Sequence, residues 1–280
     1  MEALNPQQSQ AYLNHLELPA PGVADRANLD RLIAAQLARV PFENVNVLLD
    51  RPVRLDADAL FAKVVEGGRG GYCFEINSLF ARLLLALDYR VSLLAGRVRW
   101  GLAADAPQTM LSHLLLRVEL PEGAFIVDIG FGAPTPFRAM PLVGRDGLGD
   151  FPFRLQAPTQ AGGPHALETR AGDDWAPVYH FDLAPQPWVD YIARNWYTAT
   201  HPDSVFRQML MAARTEGSTR LTLGNGSFSR RHADGRVEQQ RLASAAELVE
   251  LLRGEFRLNL DPERDGEPLR RRLEGILQAQ

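Results

Sequence analysis

Arg69-Gly70-Gly71-Tyr72-Cys73-Phe74-Glu75-Ile76-Asn77 carries the only cysteine of this 280-residue chain, behind two glycines and at the start of a helical pattern. From Ile76 the apolar residues recur at Leu79, Phe80, Leu83, Leu84 and Leu87, the i, i+3, i+4 spacing of an amphipathic helix. Cys73 therefore falls in or near the first turn. Backbone N–H groups there lack intrahelical partners, and the positive end of the helix dipole favours a thiolate. The glycines permit a tight turn and a close approach of substrate to the backbone. Two readings compete: Cys73 is a nucleophile, or it packs as a small apolar residue. The rest of the chain has to decide.

A cysteine nucleophile needs a histidine base and a third group that orients it. Of His15, His113, His165, His180, His201 and His232, His113 stands apart. It lies in Ser112-His113-Leu114-Leu115-Leu116-Arg117-Val118, a strand otherwise made for a core, where a polar ring needs a partner. The next strand, Phe125-Ile126-Val127-Asp128-Ile129-Gly130, presents a carboxylate in an equally apolar setting, which is costly unless the group is paired. Register decides whether the two meet. A four-residue loop Leu120–Gly123 sets Glu119 against Ala124, and His113 and Asp128 share a face as diagonal neighbours. A three-residue loop puts them on opposite faces. In the first register Asp128 orients His113, and His113 takes the proton of Cys73.

The flanking sequence points to an α+β fold of three units. Residues 1–88 read as a helical bundle carrying Cys73. Pro6 begins one helix, Leu29–Val40 form a second, and Asp58 caps a third that ends at Gly67-Gly68. Residues 89–185 read as a β-barrel carrying His113 and Asp128, with strands at Val91–Trp100, Ser112–Leu120, Ala124–Gly130 and Trp175–Phe181 and irregular loops with short strands over 131–165. Residues 186–280 read as an α/β lid. Its expected elements are a helix over Pro187–Tyr197, hairpins turning at Gly224-Asn225-Gly226 and Asp234-Gly235, a helix capped by Ser244 and Glu247, and a last helix from Pro268.

Composition narrows the classes further. A net charge of −4 gives no reason to expect nucleic acid or an anionic membrane as partner. One cysteine excludes an intrachain disulfide and a multi-cysteine metal site. No apolar run reaches the ~18 residues of a membrane span, and the N-terminus lacks the pattern of a secretory signal. The expected setting is the cytoplasm, where a free thiol stays reduced. The phosphate-binding, dinucleotide-binding and zinc-hydrolase signatures are absent. The residues fix no oligomeric state.

Taken together, Arg69–Asn77, Pro41-Phe42-Glu43-Asn44, the strand around His113 and Val127-Asp128-Ile129-Gly130-Phe131-Gly132 resemble the arylamine N-acetyltransferase family in order and rough spacing. The likeness covers about residues 40–135; beyond it, it lies mainly in layout. Ile76 departs from it, since relatives often carry glutamine there. The resemblance implies a cysteine-protease-like core with Cys73, His113 and Asp128 as catalytic triad. It implies a ping-pong reaction in which acetyl-CoA, as co-substrate, acetylates Cys73 and an arylamine or arylhydrazine removes the acetyl group. No metal and no tightly bound prosthetic group is implied. Phe42, Tyr72 and Phe131 would line the acceptor pocket, and Gly130, Phe131, Gly132 and Phe206 would contact CoA. Glu43, Asn44, Arg69, Glu75 and Asn77 read as structural, with Arg69 pairing Glu43 or Glu75 behind the cysteine.

Other chemistries use the same triad. An acyl-cysteine can be discharged by water or by an amine, so a thiol hydrolase, a transglutaminase-like enzyme and an amide synthase remain alternatives. A non-catalytic acyl-CoA or aryl-ligand binding protein is the alternative from outside the enzymes.

Overall fold

A computed structural model describes residues 1–103, 105–143 and 152–279. Helix α1 (Pro6–His15) starts on a capping box formed by Asn5 and Gln8, and α2 (Arg26–Arg39) on the Asp25 side chain. Val40 is extended, as the residue before a proline prefers to be. The short strand β1 (Phe42–Glu43) and the single turn α3 (Val45–Leu48) follow. Helix α4 (Ala57–Phe61) is capped by Asp56, whose carboxylate accepts from the Ala59 N–H at 3.0 Å. The expected cap, Asp58, lies inside the first turn instead. The helix runs on as a π turn over Ala62–Glu66, and α5 covers Cys73–Ala86.

The middle of the chain is antiparallel sheet. Strands β2 (Arg90–Val98), β3 (Leu111–Leu120), β4 (Gly123–Val127), β5 (Met140–Pro141), β6 (Phe153–Gln156), β7 (His165–Ala171) and β8 (Asp174–Phe181) run in the order β5-β4-β3-β2-β8-β7-β6. The two ends of that order approach one another, so the sheet is nearly a closed barrel. The stretch 131–165, expected to hold irregular loops and short strands, contributes β5, β6 and the start of β7; its residues 144–151 lie outside the described residues. The β3–β4 hairpin pairs Glu119 with Ala124 and Leu116 with Val127. This is the register that puts His113 and Asp128 on one face.

The last third is mixed. Helices α6 (Val189–Thr200) and α7 (Val205–Gln208) lead into strands β9 (Met211–Glu216), β10 (Thr219–Gly224), β11 (Ser227–Arg231) and β12 (Val237–Arg241). Both expected hairpins form, the first across Asn225-Gly226. Helix α8 (Ala245–Gly254) is capped by Ser244, and α9 (Gly266–Gln278) begins two residues before the expected Pro268. One strand of this sheet comes from far away in sequence: β1 pairs with β9, Phe42 facing Ala213 and Glu43 facing Ala212. Val45 and Leu48 accordingly sit in the apolar core of the C-terminal region, with Leu223, Leu248 and Phe256. A second core joins α1, α2 and α5 to the β3–β4 hairpin, and a third fills the barrel.

The loop before Cys73 is held along the other side of β1. Glu43 N–H donates to the Gly71 carbonyl at 3.0 Å and Gly71 N–H to the Pro41 carbonyl at 3.3 Å. The Gly70-Gly71 pair serves this packing. A Cβ on Gly70 would collide with the Pro41 carbonyl, and one on Gly71 would lie 2.6 Å from the Glu75 carboxylate. Gly70→Ala is therefore expected to cost about 1–3 kcal/mol of unfolding free energy through overpacking. Urea denaturation measures this, and wild-type stability of the variant would contradict the packing argument.

Candidate active site

Cys73 is the first residue of α5, with Tyr72 in extended conformation at the N-cap. The Glu75 carboxylate reaches back to accept the Tyr72 N–H at 3.1 Å, one half of a capping box. Cys73 is 4% exposed. Its sulfur lies 3.9 Å from the Ser112 carbonyl oxygen. That carbonyl sits at a bulge: Gly96 pairs with His113 and Arg97 with Leu111, which leaves Ser112 over. Such a bulge bends the strand beside the thiol and re-aims its neighbours.

His113 and Asp128 are buried and joined through Nε2 and Oδ2 at 2.7 Å. The ring also meets the Cys73 thiol, and with Nε2 taken, Nδ1 is the nitrogen that faces the sulfur. Asp128 is held from every side. Its Oδ1 accepts from Asn77 Nδ2 and from Gly130 N–H, both at 2.9 Å. Asn77 in turn donates to the Leu114 carbonyl at 2.7 Å and accepts from Ile129 N–H at 3.0 Å. Asn77, read from the sequence as structural, serves Asp128. The Tyr179 ring lies tilted 4.9 Å from the His113 ring, its hydroxyl facing Asp128 without a hydrogen bond of ordinary length.

This environment decides the protonation states. Burial works against a charged imidazole, but the Asp128 carboxylate outweighs it, and the His113 pKa is pushed up to about 10 from 6.5. Burial likewise works against the Asp128 anion, yet His113, Asn77 and Gly130 hold its carboxyl below the usual range. At neutral pH the pair is imidazolium and carboxylate.

A second set of buried charges lies behind the loop. Arg69 pairs with Glu43 at 2.8 Å, as the sequence suggested, whereas Glu75 takes Lys63 at 2.6 Å. Lys63 also stands 3.7 Å from Glu43. Nothing in the pattern of α4 singles this lysine out; the π turn carries it, a feature common near functional sites. Asp265 was missed as well, since Arg51, which it pairs, lies 214 residues away.

The aromatic residues divide into two groups. Phe131 packs edge-on to His113 at 5.0 Å between ring centroids. Phe42, Tyr72 and Phe206 form the other group, Phe206 lying 6.2 Å from Phe42 and 5.3 Å from Tyr72. Tyr72 is fully buried, and its hydroxyl donates to Asn195 Oδ1. Asn44 fastens the Phe206 turn to β1 by donating to the Phe206 and Met209 carbonyls at 2.8 and 2.7 Å. Gly132, at φ +103°, lies against the Phe42 ring. Gly130 is a different case: a Cβ there would stand 2.9 Å from Cys73 Cα, and its N–H is committed to Asp128.

A profile of the N-acetyltransferase family matches residues 25–265. The chain belongs to the arylamine N-acetyltransferase family. It is 36% identical over 257 residues to the arylamine N-acetyltransferase of Mycolicibacterium smegmatis, covering 89% of this chain and 91% of that one. Identity is 34% to the Salmonella typhimurium arylamine N-acetyltransferase / N-hydroxyarylamine O-acetyltransferase, across 91% of this chain and 90% of the other. The fold matches the Mycobacterium marinum arylamine N-acetyltransferase in complex with CoA at TM-score 0.89 and 32% identity, with 95% of this chain and 98% of that chain covered. For a member of this family the match extends over all three regions of the chain, not only the stretch around Cys73.

The two pKa shifts set a pH window for stability. A raised His113 pKa gives stability that is complete below 6.5 and lost as pH rises toward about 10; a depressed Asp128 pKa gives stability present above 3.8 and lost as pH falls through the folded value. The stability gap between wild type and Asp128→Asn should then be largest near pH 6, at about 3 kcal/mol, and shrink by pH 10. Urea titrations at several pH values check this, and a gap independent of pH would contradict the charged pair.

Proposed function

We propose that this protein carries acetyl groups from acetyl-CoA through Cys73 to an arylamine or arylhydrazine. The observation that carries the reading is the continuous chain Cys73–His113–Asp128 in a member of this family. The Cys73 sulfur, as thiolate, attacks the thioester carbonyl. The CoA thiolate leaves and takes the proton that His113 holds, and His113 is left neutral. It then serves as base for the amine, whose nitrogen attacks the acetyl-cysteine while Cys73 departs as thiolate. A histidine held as imidazolium before the first step and neutral before the second fits both halves of a ping-pong cycle. First-turn N–H groups of α5 are the natural donors to the tetrahedral oxygen.

Phe42, Phe131 and Phe206 would line the aromatic acceptor pocket, with Tyr72 backing Phe206 rather than facing the ligand. The Gly130-Phe131-Gly132 loop and Phe206 would flank acetyl-CoA; within the loop, Gly130 helps hold Asp128 as well. The units 1–88, 89–185 and 186–280 would divide the work into nucleophile, base and lid. A reactive thiol is best kept in a reducing compartment, which supports the cytoplasm as its location. Among the described residues no helix is long and apolar enough to cross a membrane.

Intact mass after mixing with acetyl-CoA tests the reading. Wild type should gain one acetyl group on Cys73 and lose it when an arylhydrazine is added, and Cys73→Ala should gain none. Discharge by water at the same rate without amine would make it a hydrolase, and an unmodified Cys73 would leave only binding.

A further inference from the structure

The loop that presents Cys73 is gripped from behind by a segment almost two hundred positions later in the sequence. Asn259 N–H donates to the Gly68 carbonyl and Asn259 Nδ2 to the Gly67 carbonyl, both at 3.1 Å. Six residues on, Asp265 is fully buried at the start of α9, 3.7 Å from Arg69 and paired with Arg51 and Arg264. Its Oδ2 also accepts the Asp261 N–H at 2.9 Å, which closes the 261–265 turn around the carboxylate. From Asp265 the charges alternate without a break through buried Arg69, buried Glu43, half-buried Lys63 and buried Glu75. The last of these caps α5 at the N–H of Tyr72, one residue before the nucleophile.

We propose that Asp265 is a positioning residue for acyl transfer, holding Cys73 in register with His113 through Arg69, Glu43, Lys63 and Glu75; this rests on the reading of Cys73 as the acyl-carrying nucleophile. Arg69 is 3% exposed, and its Nε already lacks a partner. Withdrawal of the Asp265 charge leaves a buried guanidinium with Glu43 alone to answer it, and Glu43 then serves Arg69 at the expense of Lys63. Lys63 is the counter-charge of Glu75, so the effect arrives at the cap of α5. The C-terminal region thereby acts on the nucleophile without touching it.

The test compares full-length wild type, Asp265→Asn, Asp265→Glu and Asn259→Ala at a temperature where near-UV circular dichroism shows all of them folded. The probe is the rate at which iodoacetamide alkylates Cys73 at pH 7, read by intact mass, beside kcat and KM for acetyl-CoA. Asp265→Asn should slow alkylation and lower kcat about tenfold, the scale expected for a small misplacement of a reacting group, with KM little changed. Asp265→Glu should recover part of the loss. Asn259→Ala keeps every charge and is exposed; it should slow alkylation about two- to fivefold, which keeps the proposal testable if Asp265→Asn does not fold. Variants that melt earlier yet alkylate and turn over like wild type would overturn the proposal. Failure of wild type to take an acetyl group from acetyl-CoA would overturn the acetyltransferase reading instead, and leaves the alkylation comparison intact.

Discussion

The structure depends on one buried carboxylate. Asp128 is an anion in the interior, and an ion in that position costs several kcal/mol unless its oxygens are fully partnered. Its partners come from three places: His113 from β3, Asn77 from α5, and the Gly130 N–H from the loop after β4. Satisfying Asp128 therefore docks the cysteine helix onto the barrel. Gly130 shows how close that docking is, since a methyl group there would collide with Cys73 Cα. The interaction that joins the helical region to the barrel is also the one that keeps His113 charged beside the thiol.

The charges behind the Cys73 loop follow a different logic. Glu43 and Glu75 are both buried, but they differ. Burial disfavours the Glu43 anion, and Arg69, Lys63 and the Val45 N–H overcome this and hold its carboxyl below the usual range. For Glu75, burial prevails over Lys63, with Glu43 adding to the rise. One carboxylate is a fixed charge that anchors Arg69. The other is the more easily protonated member and sits at the start of the Cys73 helix. Three buried carboxyls near one cysteine thus hold three different environments, set by the number of cations each can reach.

Much of this was legible in the residues because it is local. The spacing after Ile76 gives α5, and the apolar run around His113 gives β3. The Leu120–Gly123 turn left two registers open, and the observed pairing of Glu119 with Ala124 is the one that joins His113 to Asp128. Legibility ended where partners are distant. Asp265, Asn259 and Asn195 complete contacts with residues more than a hundred positions earlier, and no periodicity encodes such pairings. β1 was overlooked because two residues make no pattern, though they tie the cysteine loop to the C-terminal sheet. Gly70 and Gly71 read in the sequence as a tight turn with close approach to the backbone, and the structure adds a packing role. A glycine pair announces close approach, and in the fold the groups that approach include the protein's own Pro41 carbonyl and Glu75.

In the proposed cycle His113 starts as imidazolium, gives its proton to the departing CoA thiolate and, then neutral, takes one from the amine, so the charge it carries before the first step is the point on which that proposal turns. Nuclear magnetic resonance of the ring nitrogens across pH measures that state directly. His113 should remain protonated through neutral pH and titrate near 10. A ring that loses its proton at or below 6.5 would contradict the account.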